Sequence, residues 1–260
     1  MSERSFQQFQ ALPVAVMLFA TVMAHAVTGQ EPVSDLATVP IANSPTFEIA
    51  VFDPQSAGWN QLGAGDFERV NGDDQTLVFT GYEALGSGTP IGVTRTKKQY
   101  VNFEMVIDWM HLKPAGNSGV FAWVPAAALE GLPPNKLPNS GIEVQMLDHD
   151  YARQYRERSG KEPTWFTSNG DVFAVGKSSM KPFEPLSPNG SRSFPTQQTT
   201  HGSGQWNRYY IRGINGEIRL WVNGVEVSGG RDCSPSEGYL CLESEGSPIR
   251  FRNIWVRELP

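Results

Sequence analysis

Two Asn-Gly pairs stand eight residues apart near the C-terminal end of the chain, each set between strand-like runs. Asn215-Gly216 joins Tyr209–Ile214 to Glu217–Val222, and Asn223-Gly224 joins that run to Val225–Val227. Asn-Gly accepts the positive φ values of a type I′ turn, whose twist matches the strands on either side, so these runs are expected to pair as antiparallel hairpins. The same rhythm of short β-type runs and turn signals fills the rest of the chain. The runs are Phe47–Phe52, Thr76–Thr80, Tyr100–His111, Gly119–Val124, Gly141–Asp148, Asp171–Val175, Trp206–Ile214, Gly238–Glu243 and Ile249–Leu259. With 26 Gly and 19 Pro and no amphipathic helical period, about ten such runs indicate an all-β fold, an antiparallel β-sandwich or jelly roll.

Two stretches depart from this rhythm. Tyr151–Lys161 is charged and suits one short helix. Lys177–Gly204 runs 28 residues with four prolines and neither period. A long irregular segment between strands is either a loop walling a site or a mobile surface insertion.

The N-terminus reads as a leader. Ala11–Ala24 is almost wholly apolar, and Ala24-His25-Ala26 places small residues where a signal peptidase cuts. Fourteen residues are too few to span a hydrocarbon core of roughly 30 Å. Residues 1–26 are therefore expected to be a signal peptide, 27–45 a proline-containing linker and 46–260 a single domain. Export to the periplasm or medium follows, with no membrane span in the mature form. A net charge of −6, from 21 basic and 27 acidic residues, offers neither the phosphate neutralisation that nucleic acid requires nor a polybasic membrane anchor. In an oxidising compartment the two cysteines, Cys233 and Cys241, can pair and close a short loop worth roughly 2–3 kcal/mol. Two buried free thiols are the alternative.

Polar groups gather on one strand. In Gly141–Asp148 the side chains of Ile142, Val144 and Met146 share one face and those of Glu143 and Gln145 the other, about 7 Å apart. A carboxylate beside an amide suits sugar hydroxyls, a cation or a proton transfer; a solvated outer face is the plain alternative. Asp148-His149-Asp150 follows, where carboxylates flanking an imidazole can tune a base or gather a divalent cation. Asn117 and Ser118, between Gly116 and Gly119, can aim polar groups into a groove. No Gly-x-Ser-x-Gly, HExxH or paired CxxC occurs, which argues against a serine hydrolase of that type, a zincin or a zinc finger.

The ordered series FEMVIDWMH, GNSGVFAW, GIEVQMLD, GQWNRYYI, LWVNGVEV, GYLCLESEG and PIRFRNIWVREL resembles the 3-keto-disaccharide hydrolase family, over about Phe47 to Leu259. The resemblance implies a concanavalin A-like lectin/glucanase sandwich and action on glycosides oxidised at C3, by elimination and then hydration. Met110 and Trp123 stand where members often carry Arg. A ketone at C3 acidifies the C2 proton, so the chemistry needs a base, a group polarising the carbonyl and a proton for the leaving oxygen. Glu143 or His149 is expected as the base, and Gln145, Asn117 or a bound cation as the polarising group. Trp123 is a further candidate for substrate binding, and Asp148 and His149 are the candidate cation ligands. Such an enzyme depends on a sugar oxidoreductase to supply its keto substrate. The competing reading is a non-catalytic carbohydrate-binding module with exposed aromatics, drawn from Trp123, Tyr151, Trp165 and Phe166. An ordinary retaining glucanase on this fold would carry Glu-x-Asp-x-x-Glu, which Gln145 and Asp148 break.

Overall fold

The computed structural model describes residues 52–168 and 170–260. The leader, the linker and all but the last residue of the run at Phe47–Phe52 lie outside the described residues. Strands β1 (Trp59–Gln61), β2 (Phe67–Arg69), β3 (Leu77–Thr80), β4 (Glu83–Gly86), β5 (Gly92–Tyr100), β6 (Phe103–His111), β7 (Asn117–Val124) and β8 (Ile142–Leu147) lead to the helix α1 (Asp150–Ser159). After it come β9 (Val172–Ala174), β10 (Ser179–Pro182), β11 (Arg192–Ser193) and β12 (Asn207–Ile214). The last four are β13 (Glu217–Val222), β14 (Val225–Ser234), β15 (Gly238–Ser244) and β16 (Ile249–Glu258).

They form two antiparallel sheets, which makes the fold the expected sandwich. One runs β10-β14-β13-β12-β6-β16-β4-β3, with β1 also on β16; the other runs β11-β9-β8-β7-β15-β5-β2. Alternation along the strands aims one face of each sheet inward. Phe103, Met105, Ile107 and Trp109 of β6 join Tyr209 and Ile211 of β12 and meet Val120, Ile142, Val144 and Met146 from the other sheet. Both Asn-Gly pairs have positive φ at both positions, as the type I′ turn demands. On the outer face of β6 the two acids are held structurally. Arg208 grips Asp108 through two nitrogens at 2.6 and 3.0 Å, and Glu104 accepts from Arg257 and from the Tyr210 hydroxyl.

The proline-rich segment is more ordered than its sequence suggests. It supplies β10 to the edge of one sheet and β11 to the corresponding end strand of the other. The expected disulfide is not formed: Cys233 and Cys241 are separate buried thiols. Cys233 of β14 packs in the core between the sheets, whereas Cys241 of β15 faces the opposite side of its own sheet, with Val93 and Phe121. Spacing along the chain cannot reveal that a sheet lies between them. Burial pushes the Cys233 thiol up to about 12 and Cys241 upward as well, so both are inert in the folded state. Titration of the unfolded protein without reductant should return two thiols per chain, whereas a protein with the disulfide would return none.

Candidate active site

β8 is buried on both faces. Ile142, Val144 and Met146 enter the core as the alternation requires, but Glu143 and Gln145 are also covered, at 8% and 6% exposure. The outer face of this sheet is divided. Around Val93, Phe121, Val124 and Cys241 it is apolar and packed against Leu129, with Leu132 and Leu137 alongside. Next to that patch it turns polar. Phe121 is registered opposite Glu143 on one side and Cys241 on the other, so the next positions outward bring Gln145, Gly119 and Glu243 level. Gly119 provides the room: a Cβ there would stand 3.0 Å from a Glu243 carboxyl oxygen and 3.4 Å from Glu143 Cγ.

A directed hydrogen-bond chain crosses the three strands. Gln145 Nε2 donates to Asn117 Oδ1 at 2.7 Å, and Asn117 Nδ2 donates to Glu245. Gln145 Nε2 also reaches the Ser118 carbonyl at 3.3 Å. Both N–H groups of Gln145 are therefore committed, so Gln145 does not donate to a substrate carbonyl, whereas Asn117 has one acceptor among the described residues for its two N–H groups. Gln145 keeps Oε1, an acceptor, for a ligand.

The open cation comes from elsewhere. Arg192 of β11 lies with its guanidinium carbon 3.5 Å from the Phe173 ring centroid and 4.9 Å from that of Trp165. Its Nη1 is 3.6 Å from Asp171 Oδ2 and has no hydrogen-bond partner among the described residues. Asp171 is fully buried and accepts from the backbone N–H and hydroxyl of Thr167. Burial sets the acidities. It raises Glu143 to about 8, opposed by Arg192 and assisted by Glu245 and Asp171. Asp171 rises to about 6, with Thr167 and Arg192 holding it back. Buried acids perturbed this way around one cation mark a candidate functional site. Trp165, 45% exposed, stands beside it on a cluster with Tyr155 and Phe166.

The remaining candidates have other partners. Trp123 is 0% exposed and packs edge-on against Phe103, its indole N–H donating to the Val101 carbonyl. It is a core residue, not a substrate contact. Between Phe121 and Val124, β7 spends three steps where β15 spends two, from Cys241 to Tyr239, and Trp123 takes φ 56°. That bulge turns Trp123 to the inner face. Asp148 accepts backbone N–H groups from Ala115, Asp150 and Ser203, at 2.7, 3.0 and 2.8 Å, and so ties two loops to the start of α1. His149 pairs through Nε2 with Thr200 at 2.7 Å. Backbone groups take three of the acceptor sites of Asp148, and no group of three His, Cys, Asp or Glu side chains suited to a metal occurs among the described residues. His111 is a core imidazole, bonded to the Met146 carbonyl and held neutral by burial.

Sequence reasoning thus found Glu143, Gln145 and Asn117 and missed Glu243, Glu245, Asp171 and Arg192. Glu243 carried a usable signal, since Leu240 and Leu242 alternate with it exactly as the apolar trio of β8 alternates with Glu143.

The fold has solved counterparts. A candidate glycosyl hydrolase from Parabacteroides distasonis ATCC 8503 superposes with TM-score 0.55 at 19% identity, covering 78% of this chain and 95% of that one. A second from the same organism gives 0.53 at 18%, covering 77% and 99%. The carbohydrate-binding module CBM66 from Bacillus subtilis gives 0.50 at 13%, covering 74% and 96%. At such identities the likeness is one of fold. No curated protein matches the sequence. The profile of the 3-keto-alpha-glucoside-1,2-lyase-like domain matches residues 48–257, and the chain belongs to that family.

Proposed function

We propose that this protein cleaves 3-keto-glycosides by β-elimination across C1 and C2, followed by hydration of the product. Membership of the family supports a carbohydrate-active role. The observation that carries the finer reading is that buried Glu143, whose pKa is raised to about 8, shares a row of the sheet with Arg192 across Phe173, and that the guanidinium Nη1 has no hydrogen-bond partner among the described residues. A carboxylate in that environment is a stronger base than one in water. Glu143 takes the C2 proton; the electron pair moves toward the C3 carbonyl oxygen, where Arg192 stabilises the enolate charge. The enolate then collapses, the C1–C2 double bond forms and the C1–O bond breaks. The departing oxygen needs one proton, equal to the one Glu143 has gained. Water then adds its OH to C1 and a proton to C2, which restores a 3-keto sugar. Gln145 Oε1 accepts from a sugar hydroxyl and Trp165 offers a ring face beside it.

The substrate requires an oxidoreductase to install the ketone. Export also belongs to this proposal, on the apolar run at Ala11–Ala24 and the small residues after it; the exported protein should begin at Val27 on N-terminal sequencing. The activity test offers purified protein a 3-keto-glucoside and an unmodified disaccharide. Enone absorbance and sugar release from the first alone are expected. Binding without turnover of either would replace the enzyme with a carbohydrate-binding module.

A further inference from the structure

Beyond Glu143, the same face of the sheet carries a second polar group. Phe121 of β7 is level with Glu143, Gly119 with Gln145 and Asn117 with Leu147, so Asn117 stands four residues further on, about 13 Å along the strand. Glu245, the residue after β15, meets Asn117 there. The neighbouring Gly246 is bridged to Asn117 and has open space where a Cβ would stand. Both polar side chains are half-buried. Their polarity is set by the backbone. Gln145 Nε2 donates to the Ser118 carbonyl at 3.3 Å, and a main-chain carbonyl cannot turn over, so the amide nitrogen is fixed on that side. Its other N–H goes to Asn117 Oδ1 at 2.7 Å, which turns Asn117 Nδ2 toward Glu245. One N–H of Asn117 is left without an acceptor among the described residues, and Asn117 takes only one of the roughly four acceptor sites of the Glu245 carboxylate.

We infer that Asn117 and Glu245 bind the leaving sugar of the substrate by reading two of its adjacent hydroxyls. The inference rests on the proposed cleavage of keto-glycosides and adds a second subsite to it. The open N–H of Asn117 is a donor, the Glu245 carboxylate is an acceptor, and the two groups touch. Adjacent hydroxyls on one ring satisfy such a pair together: one oxygen accepts from Asn117 while its neighbour donates to Glu245. The charge on Glu245 makes its bond the stronger kind. A hexopyranoside oxidised at C3 has no such hydroxyl pair. Its hydroxyls stand at C2, C4 and C6, and the carbonyl separates C2 from C4. Reach points the same way. A ring seated with its C2 proton at Glu143 does not extend the roughly 13 Å to the level of Asn117, whereas a second sugar attached through the C1 oxygen does. Neither residue touches a reacting atom. They set the choice of leaving group, favouring a sugar over a simple alcohol.

Kinetics and binding test this separately. The substrates are a 3-keto-disaccharide with glucose as leaving unit and its analogues deoxygenated there at each adjacent pair of hydroxyls in turn. For one pair, removal should lower wild-type kcat/KM by about 10–100-fold, the worth of two hydrogen bonds with one charged partner. In Asn117→Ala and in Glu245→Met that ratio should fall to within a few-fold of one. Indifference of the wild type to every pair overturns the inference, as does a ratio that survives both substitutions. Binding is read from the side-chain amide NMR signals of the wild type. Glucose should shift the Nδ2 protons of Asn117, assigned by their absence from Asn117→Ala, and glucose deoxygenated at the same pair should not. Turnover without that shift and without the ratio overturns this inference alone. The shift without turnover of any keto-disaccharide overturns the cleavage and keeps the sugar contact. Should Glu245→Met not fold, the wild-type ratio and the Asn117 shift carry the test.

Discussion

Glu143→Gln should lower kcat on a 3-keto-glucoside by about 10²–10⁴-fold, the range for removing a positioned general base, with KM changed far less. Gln keeps the volume and one acceptor but cannot take the C2 proton. The pH profile gives the sharper signature. A base must be ionised to act, so wild-type activity should rise with pH through about 8, where Glu143 loses its proton. The residual activity of the variant should lack that limb. Stability moves the other way. The folded-state pKa of Glu143 lies above its unfolded value, so the native state binds more protons between about pH 4.5 and about 8 and loses stability as pH rises through that window. Glu143→Gln removes this loss, so above pH 8 its Tm should exceed that of wild type. A variant both slower and more stable cannot be explained by misfolding, and it fits the cost an active site imposes on its scaffold. Near-normal turnover by Glu143→Gln would move the base to His149. Full activity in the Glu143→Gln, His149→Ala double variant would remove both.

How far the site could be read in advance depends on which strand carries each residue. Alternation in Gly141–Asp148 was enough to place Glu143 and Gln145 on one face, because β8 pairs regularly with β7 and β9. Alternation alone left that face in water; its neighbours there include Arg192 of β11 and Glu243 of β15, both distant in the chain. Where the ladder slips, the same rule misleads, as at Trp123. β5 went unread because Thr94 and Thr96 are buried where aliphatic residues would have given the pattern. β14 looked three residues long because Gly229-Gly230 resembles a turn. Those glycines continue the strand, and a Cβ at Gly229 would stand 2.3 Å from the Ile218 carbonyl oxygen. Arg192 offered no signal at all: it lies on a two-residue strand inside an aperiodic, proline-rich run. The fold follows from patterns local enough for one sequence to show, whereas the cleft depends on register between strands far apart in it.

Arg192→Met should reduce kcat by about 10²–10³-fold, the cost of removing one group that stabilises an oxyanion. It should also change the acids that Arg192 faces. The guanidinium lowers the pKa values of both Glu143 and Asp171 against the upward push of burial. Without it both rise further, so the activity limb should move above about 8 and the variant should look worst at neutral pH. The same shift governs stability. As pH climbs from the unfolded carboxyl range, near about 4, the native variant clings to two protons that the unfolded chain releases, and its stability falls more steeply than that of wild type. At low pH, where both acids are neutral in either protein, a buried guanidinium has no anion to offset its desolvation, and Met costs little there. The Tm difference should therefore be small near pH 4 and widen toward pH 9. Arg192→Lys should restore part of the stability, since the charge returns, but less of the activity, because an ammonium lacks the planar fork that lies on Phe173 and reaches toward Asp171. A Tm difference that stays constant across pH would mean that Arg192 acts by packing alone, and the electrophile would then have to be sought elsewhere in the cleft.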